Sequence, residues 1–346
     1  MGYDLVWSFA PQAYRSVMRV SPRTLLVAGV GALIAGLVAG CSAAPGLAYA
    51  NGVSRKTSSH AVTAKVPSGA ASRAKVSPTP VPAVTVSGMP AGVKAKEGIL
   101  EDVTTGQVLW AKDAGAERPM ASITKVMTAY LVIQAGDLDR KITVPKGVLN
   151  YVATYGAESA GLHPGEVLTA KELLYGLLLQ SGADAAYTLA DVYGPGMTAF
   201  LAKMNATAKT LGMDHTHFTS PDGLPYPTEF STFSTPSDLL ILGEAAMQSA
   251  VFRSIVDQTQ YHLASGDGHD AHWWYNDDSL LTTYPGAAGI KTGFTDDAGH
   301  CLLFEATRGG RTLMGVLLDS PPTGVDAAEQ DATKVLNWGF ALKQAA

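Results

Sequence analysis

The sequence predicts an α+β fold, an antiparallel sheet flanked by helices with a helix-rich second lobe. Three observations carry this. A hairpin pattern opens the folded part of the chain at 98–110, and strand patterns return only at 288–318. Between and after them, apolar residues recur at helical spacing. Strands gathered at two ends of a helical block, rather than alternating with helices, build an antiparallel layer with helices packed on it.

In the hairpin, Gly98-Ile99-Leu100-Glu101-Asp102-Val103 and Gln107-Val108-Leu109-Trp110 flank a turn at Thr105-Gly106. A helix is then predicted from Ser122, with Val126, Met127, Tyr130, Leu131 and Ile133 on its apolar positions, Pro119 before it and Gly136 after it. Helical periodicity follows at 170–179, 183–193, 197–211 and 237–247. Strands are predicted at 288–292, 301–307 and 312–318, the last two joined by a tight turn at Gly309-Gly310. An amphipathic helix at 326–342 closes the chain, with Val335, Leu336, Trp338 and Phe340 among its apolar residues.

The remainder of the chain divides by composition. Residues 1–50 read as a signal or membrane-anchor segment, because Arg15, Arg19 and Arg23 precede an uninterrupted small and apolar run at 24–40. That run is a little short of the roughly 20 residues of a spanning helix. Three outcomes stay open: lipidation at Cys41 in Val38-Ala39-Gly40-Cys41, ordinary cleavage after Ala48-Tyr49-Ala50, or an uncleaved anchor. Residues 51–95, rich in Ala, Ser, Val, Pro and Thr, read as a disordered tether, and 96–346 as the folded domain.

Composition also excludes classes of function. The 346 residues carry a formal net charge of −5, which offers no basic face to nucleic acid. With Cys41 and Cys301 the only cysteines there is no disulfide framework, and Cys301, in His300-Cys301-Leu302-Leu303-Phe304, reads as a buried strand residue. His215 and His217 form the closest histidine pair, no His-Glu-x-x-His occurs, and His262, His269 and His272 sit in a polar stretch read as solvated. No metal and no cofactor is expected.

Two short segments carry the chemistry. Ser122-Ile123-Thr124-Lys125 sets a hydroxyl and an amine at i and i+3, on one helix face. At a helix N-terminus the backbone N–H of Ser122 is free and the helix pole favours negative charge, which suits a nucleophile whose target becomes an oxyanion. Lys125 serves as the base if burial and a second cation depress its pKa, and Lys291 is the candidate cation. The alternative for Ser122 is an ordinary N-cap, and a second Ser-x-x-Lys, Ser72 to Lys75, lies in the tether. In Lys291-Thr292-Gly293, the lysine supplies positive potential, the threonine a donor for a substrate carboxylate, and the glycine room for a backbone to lie against the strand. The N–H of Phe294 is a candidate second oxyanion donor. Between these segments, Ser181 of Gln180-Ser181-Gly182-Ala183-Asp184 is placed to pass a proton to a leaving amine, and Ser181 and Asp184 are also spaced as a capping box. Arg311, near the start of the last strand, is either a helper in carboxylate binding or a surface residue beside a turn.

The chain resembles the serine-type D-alanyl-D-alanine carboxypeptidases, the low-molecular-mass penicillin-binding proteins, from about Gly98 to its end. The resemblance rests on Ala121-Ser122-Ile123-Thr124-Lys125-Val126-Met127-Thr128, on 173–182 leading to Ser181, on Pro221-Asp222-Gly223-Leu224, and on Tyr284-Pro285-Gly286 leading to Gly289-Ile290-Lys291-Thr292-Gly293-Phe294-Thr295. It implies a β-lactamase/transpeptidase-like fold and attack by Ser122 on the D-Ala–D-Ala bond of a peptidoglycan stem peptide. Lys125 would be the base, Ser181 a proton relay, and Lys291 and Thr292 the carboxylate holders. It further implies β-lactam antibiotics as inhibitors that acylate the same serine, and an exported, extracytoplasmic location.

Two departures bear on the expected activity. The second motif of the family usually ends in Asn, whereas position 183 is Ala and no Ser-x-Asn occurs anywhere. A lost buried polar partner costs about 1–3 kcal/mol, so slow turnover, or a shift of acceptor from water toward an amine, is expected. The chain also stops after its terminal helix, without the further C-terminal domain and amphipathic anchor of many relatives, so the N-terminal segment is expected to do the anchoring. Two rivals remain. A β-lactamase needs a Glu-x-x-x-Asn after Ser181, which is absent. A non-catalytic muropeptide sensor would be a site lapsed at Ala183.

Overall fold

The structure, a computed structural model, describes residues 89–266, 268–321 and 324–342. The signal segment, the tether up to residue 88 and the Ser72–Lys75 motif lie outside the described residues.

One five-stranded sheet organises what is described. Its strands are β1 (Glu97–Asp102), β2 (Gln107–Lys112), β7 (Ala287–Thr295), β8 (Gly299–Arg308) and β9 (Arg311–Ser320), in the order β2-β1-β9-β8-β7 and antiparallel throughout. The first hairpin and the late strands therefore share one layer, and β7 is left at an edge. Each strand alternates between two apolar faces. Leu100, Leu302, Phe304, Leu313 and Leu317 pack with Val335 and Leu336 of the terminal helix α9 (Ala327–Ala341). Ile99, Leu303, Met314 and Val316 join the larger core shared with the helical lobe.

That lobe begins at a 3₁₀ turn, Ala121–Thr124, which runs into α1 (Lys125–Ala135). It continues through α2 (Val148–Tyr155), α3 (Ala170–Leu178), α4 (Ala183–Tyr193), α5 (Met197–Leu211), α6 (Pro236–Met247) and α7 (Ala250–Val256). Thr169 caps α3 reciprocally with Glu172, and Thr235 caps α6 ahead of Pro236 at its first turn, so both starts are written in local residue chemistry. The predicted helices at 170–179, 183–193, 197–211, 237–247 and 326–342 are all present within a residue or so at each end.

Several elements were not predicted. The short strands β3 (Lys141–Thr143) and β4 (Val167–Thr169) pair with each other, and α2 separates them. Three residues are too few to show a period, and their pairing is long-range. The polar stretch around His262 and His272 forms a hairpin of β5 (Gln260–Leu263) and β6 (His272–Tyr275), followed by the short helix α8 (Leu280–Thr283). His272 is buried rather than solvated, its Nε2 lying 3.0 Å from Glu166 Oε1. Arg311 is neither a surface residue nor a carboxylate binder in the cleft. It is buried, donates to Asp102 Oδ2 at 2.5 Å and to the Gly339 carbonyl at 2.8 Å, and so ties β1 and β9 to α9. Cys301 is buried as predicted, and burial pushes its thiol up to about 12.

Candidate active site

The 3₁₀ turn sets the first two groups. Three residues per turn brings i and i+3 into line, and Lys125 Nζ donates to Ser122 Oγ at 2.9 Å. Ser122 does no capping: neither the 3₁₀ turn nor α1 has a side-chain cap hydrogen bond, so the N-cap alternative falls. Lys125 is buried, and its second hydrogen bond goes to the Asp222 carbonyl at 3.0 Å. Burial pushes the Lys125 amine down to about 8; the Asp222 charge opposes this and the Lys291 charge adds to it. Such an amine is partly neutral near neutral pH, as a base must be.

The backbone beside Ser122 is held in a sparsely populated conformation. Ala121 has φ +47°, a state that costs a non-glycine residue of order 1 kcal/mol and persists only when neighbours enforce it. The neighbour here is the segment 220–224. Gly223 has φ +89°, and a Cβ on it would lie 1.8 Å from the Ala121 carbonyl oxygen. Thr128 of α1 donates to the Pro221 carbonyl at 2.6 Å, and Tyr151 of α2 donates to Asp222 Oδ2 at 2.9 Å. Asp222 thus fixes Lys125 through its backbone while its carboxylate is held from the other side. Pro221-Asp222-Gly223 carries part of the family resemblance in the sequence, but that it packs behind the Ser122 turn is a long-range fact.

The edge strand β7 closes on the same turn. Lys291 and Gly293 share one face of the strand, and a Cβ on Gly293 would stand 3.0 Å from both the Met120 oxygen and the Ser122 nitrogen. Lys291 is buried and donates to Thr292 Oγ1 at 3.3 Å. Burial lowers its pKa from the ordinary lysine value, against the charges of Asp277 and Asp278. Phe294, next along the edge, is exposed, its ring 4.5 Å from that of His300.

Ser181 sits in the turn between α3 and α4, buried and with φ +57°. The two hydrogen bonds of Lys125 run to Ser122 and Asp222 rather than to Ser181. The predicted capping box of Ser181 and Asp184 does not form, because the N-cap of α4 is Gly182 and no side chain caps it. Asp184 is buried and instead accepts from Ser159 Oγ and the N–H groups of Ala160, Leu162 and Ala185. It anchors the 159–162 loop beside Ser181. Ala183 occupies the first position of α4, buried, its N–H donating to the Glu158 carbonyl.

For metals, among the described residues His163, Glu166 and Asp270 bring donor atoms within 4.8 Å of one another. His163 and Asp270 are exposed, and both Glu166 oxygens already accept N–H groups, so the group reads as an ion-pair cluster.

A serine and a buried lysine in contact, faced by a Lys-Thr-Gly edge strand, is an arrangement that known proteins share. The family model described as D-alanyl-D-alanine carboxypeptidase, peptidase family S11, matches residues 84–322. The chain belongs to this family. A D-alanyl-D-alanine carboxypeptidase of Streptomyces sp. (strain K15) is 40% identical over 276 residues, 76% of this chain and 92% of that one. The D-alanyl-D-alanine carboxypeptidase DacB2 of Mycobacterium tuberculosis is 40% identical over 253 residues, 72% of this chain and 83% of that one. Among solved structures, the crystal structure of the Streptomyces K15 DD-transpeptidase superposes with a TM-score of 0.67 at 40% identity, covering 72% of this chain and 98% of that one. The S11 fold is thus the α+β, transpeptidase-like architecture that the sequence predicted.

Proposed function

We propose that this S11 enzyme removes the terminal D-Ala from peptidoglycan stem peptides through an acyl-enzyme on Ser122. The observation that carries the reading is the 2.9 Å contact between Lys125 Nζ and Ser122 Oγ with the amine depressed to about 8. Ser122 Oγ attacks the carbonyl carbon of the penultimate D-Ala while its proton passes to neutral Lys125. The N–H groups of Ser122 and Phe294 receive the oxyanion. Ser181 relays the proton from Lys125 to the departing D-Ala amine, which leaves Lys125 neutral again, and Lys291 and Thr292 hold the carboxylate of that D-Ala. Water, activated by Lys125, then releases the shortened peptide. β-Lactams acylate Ser122 in place of the peptide. The enzyme works on the extracytoplasmic side of the membrane, held or exported by residues 1–50 through a tether, with the catalytic domain at 96–346.

A second reading, DD-transpeptidation, is favoured by Ala183 in place of an amide side chain and by the similarity to the solved Streptomyces K15 DD-transpeptidase. A fluorescent penicillin tests the common core: stable labelling of the wild type, and none of Ser122→Ala, is expected. Labelling of Ser122→Ala at the wild-type level overturns the nucleophile. Mass spectrometry of a D-Ala–D-Ala pentapeptide incubated with and without an amine acceptor separates the readings. A tetrapeptide product marks the carboxypeptidase and an amine adduct the transpeptidase.

A further inference from the structure

The hairpin of β5 and β6 carries a feature that the peptidase chemistry does not use. Residues of β6 alternate strictly: His272 and Trp274 are buried, while Trp273 and Tyr275 keep 52% and 53% of their surface in solvent. Leaving two large rings in water forgoes the stabilisation that burying them gives, and exposed aromatic patches mark interaction sites. The rings are also ordered. His262 of β5, the registered partner of Trp273, stacks on it at 4.0 Å with 16° between planes. Trp273 and Tyr275 lie parallel to within 16° at 6.4 Å. Beneath them Tyr261 stacks on Tyr175 of α3 at 3.8 Å and lies nearly parallel to Trp274, so the row stands on a packed base.

The row ends at the lip of the candidate active site. The Tyr275 N–H donates to Gln180 Oε1 at 3.3 Å, and Gln180 directly precedes Ser181. Beyond Tyr275 the chain passes through Asn276, anchored on the Val256 and Gln258 carbonyls, into Asp277 and Asp278, whose charges act on Lys291. One end of the platform therefore abuts both sides of the site.

The chemistry of the row selects its ligand. No lysine or arginine occurs between Arg253 and Lys291, so the hairpin itself offers no cation to a polyanion such as nucleic acid or an anionic lipid surface. Flat apolar ring faces edged by an indole N–H, a phenol and an imidazole suit a pyranose, whose C–H face is apolar and whose rim is hydroxylic. We propose that His262, Trp273 and Tyr275 form a saccharide-stacking platform that receives the glycan strand bearing the stem peptide. The proposal rests on the stem-peptide reading above and adds to it a contact outside the peptide.

Two measurements test it. Chitotetraose, a soluble β-1,4-linked N-acetylglucosamine oligomer, is titrated into the protein while indole N–H signals are followed. D-Ala release is measured from a free pentapeptide and from the same pentapeptide carrying a disaccharide. Chitotetraose is expected to shift one indole signal that is missing in Trp273→Ala. Trp273→Ala and Tyr275→Ala are expected to raise KM for the saccharide-bearing substrate by about three- to tenfold, with kcat and all free-pentapeptide constants unchanged. Trp273→Phe, which keeps a flat ring, is expected to recover most of the loss. Absence of an indole shift at millimolar saccharide overturns the platform, as does an equal loss on both substrates. A wild type that releases D-Ala from neither peptide overturns the peptidase reading instead, and the chitotetraose titration then decides the platform alone.

Discussion

Lys125 is the residue on which the proposed chemistry turns, and its environment states how it responds to pH. Burial is the largest cause of its lowered pKa, and the Lys291 charge acts in the same direction. Acylation by a β-lactam is therefore expected to rise with pH through about 8, as the amine loses its proton. Lys291→Met removes a positive neighbour, so the rising limb should move to higher pH by a fraction of a unit, the larger contribution of burial remaining. The rate of penicillin acylation against pH checks this, and an unmoved limb removes Lys291 from the account. Ser122, Lys125 and Lys291 were legible as candidates because few side chains support the proposed chemistry and their spacing in the chain is informative. Asp222 was not, because it acts through a carbonyl that every residue has.

At the scale of elements, the site is a meeting of three pieces: the 3₁₀ turn, the edge strand β7 and the segment 220–224. Gly223 is where the third presses on the first. Gly223→Ala would place a Cβ 1.8 Å from the Ala121 oxygen at φ +89°, and should cost at least about 2 kcal/mol and most of the acylation rate. Gly106 makes a matched control, since its φ is +70° with nothing within 4 Å. Gly106→Ala should cost only the conformational part, about 1 kcal/mol, with acylation intact. Denaturant midpoints and penicillin labelling of the two variants check the contrast, and equal losses would mean the contact at Ala121 is immaterial. The predicted helices emerged because each is long enough for its period to show and several carry caps. The β5–β6 hairpin did not, because four-residue strands joined by a polar loop give too short a pattern.

Across the whole described fold, the interface of sheet and helical lobe holds an acid pair. Glu101 of β1 is pushed up to about 8, first by burial and then by its hydrogen bond and charge contact with Glu244 of α6. Its folded pKa exceeds the unfolded one, so the fold favours the protonated form. The stabilisation is complete below about pH 4.5 and is lost as pH rises through about 8. Asp278 and Glu329, raised by burial to about 6 and about 7, act with the same sign. Glu101→Gln should thus flatten, without abolishing, the fall in melting midpoint over that window. Parallel profiles for the two proteins would remove the pair from the pH dependence.

The sequence alone determined the α+β layering and the positions of the longer helices, and it supplied the candidates proposed here as nucleophile, base and carboxylate-facing strand, because these rest on periods and residue types that need no distant partner. Tertiary structure decided the rest. It set Ser122 on a 3₁₀ turn rather than a capped helix, turned Arg311 into the core, gave Asp184 to a loop instead of a cap, and brought 220–224 behind the Ser122 turn. Each of these depends on which backbone carbonyl or buried charge arrives from far along the chain, and only the folded packing of the two lobes specifies that.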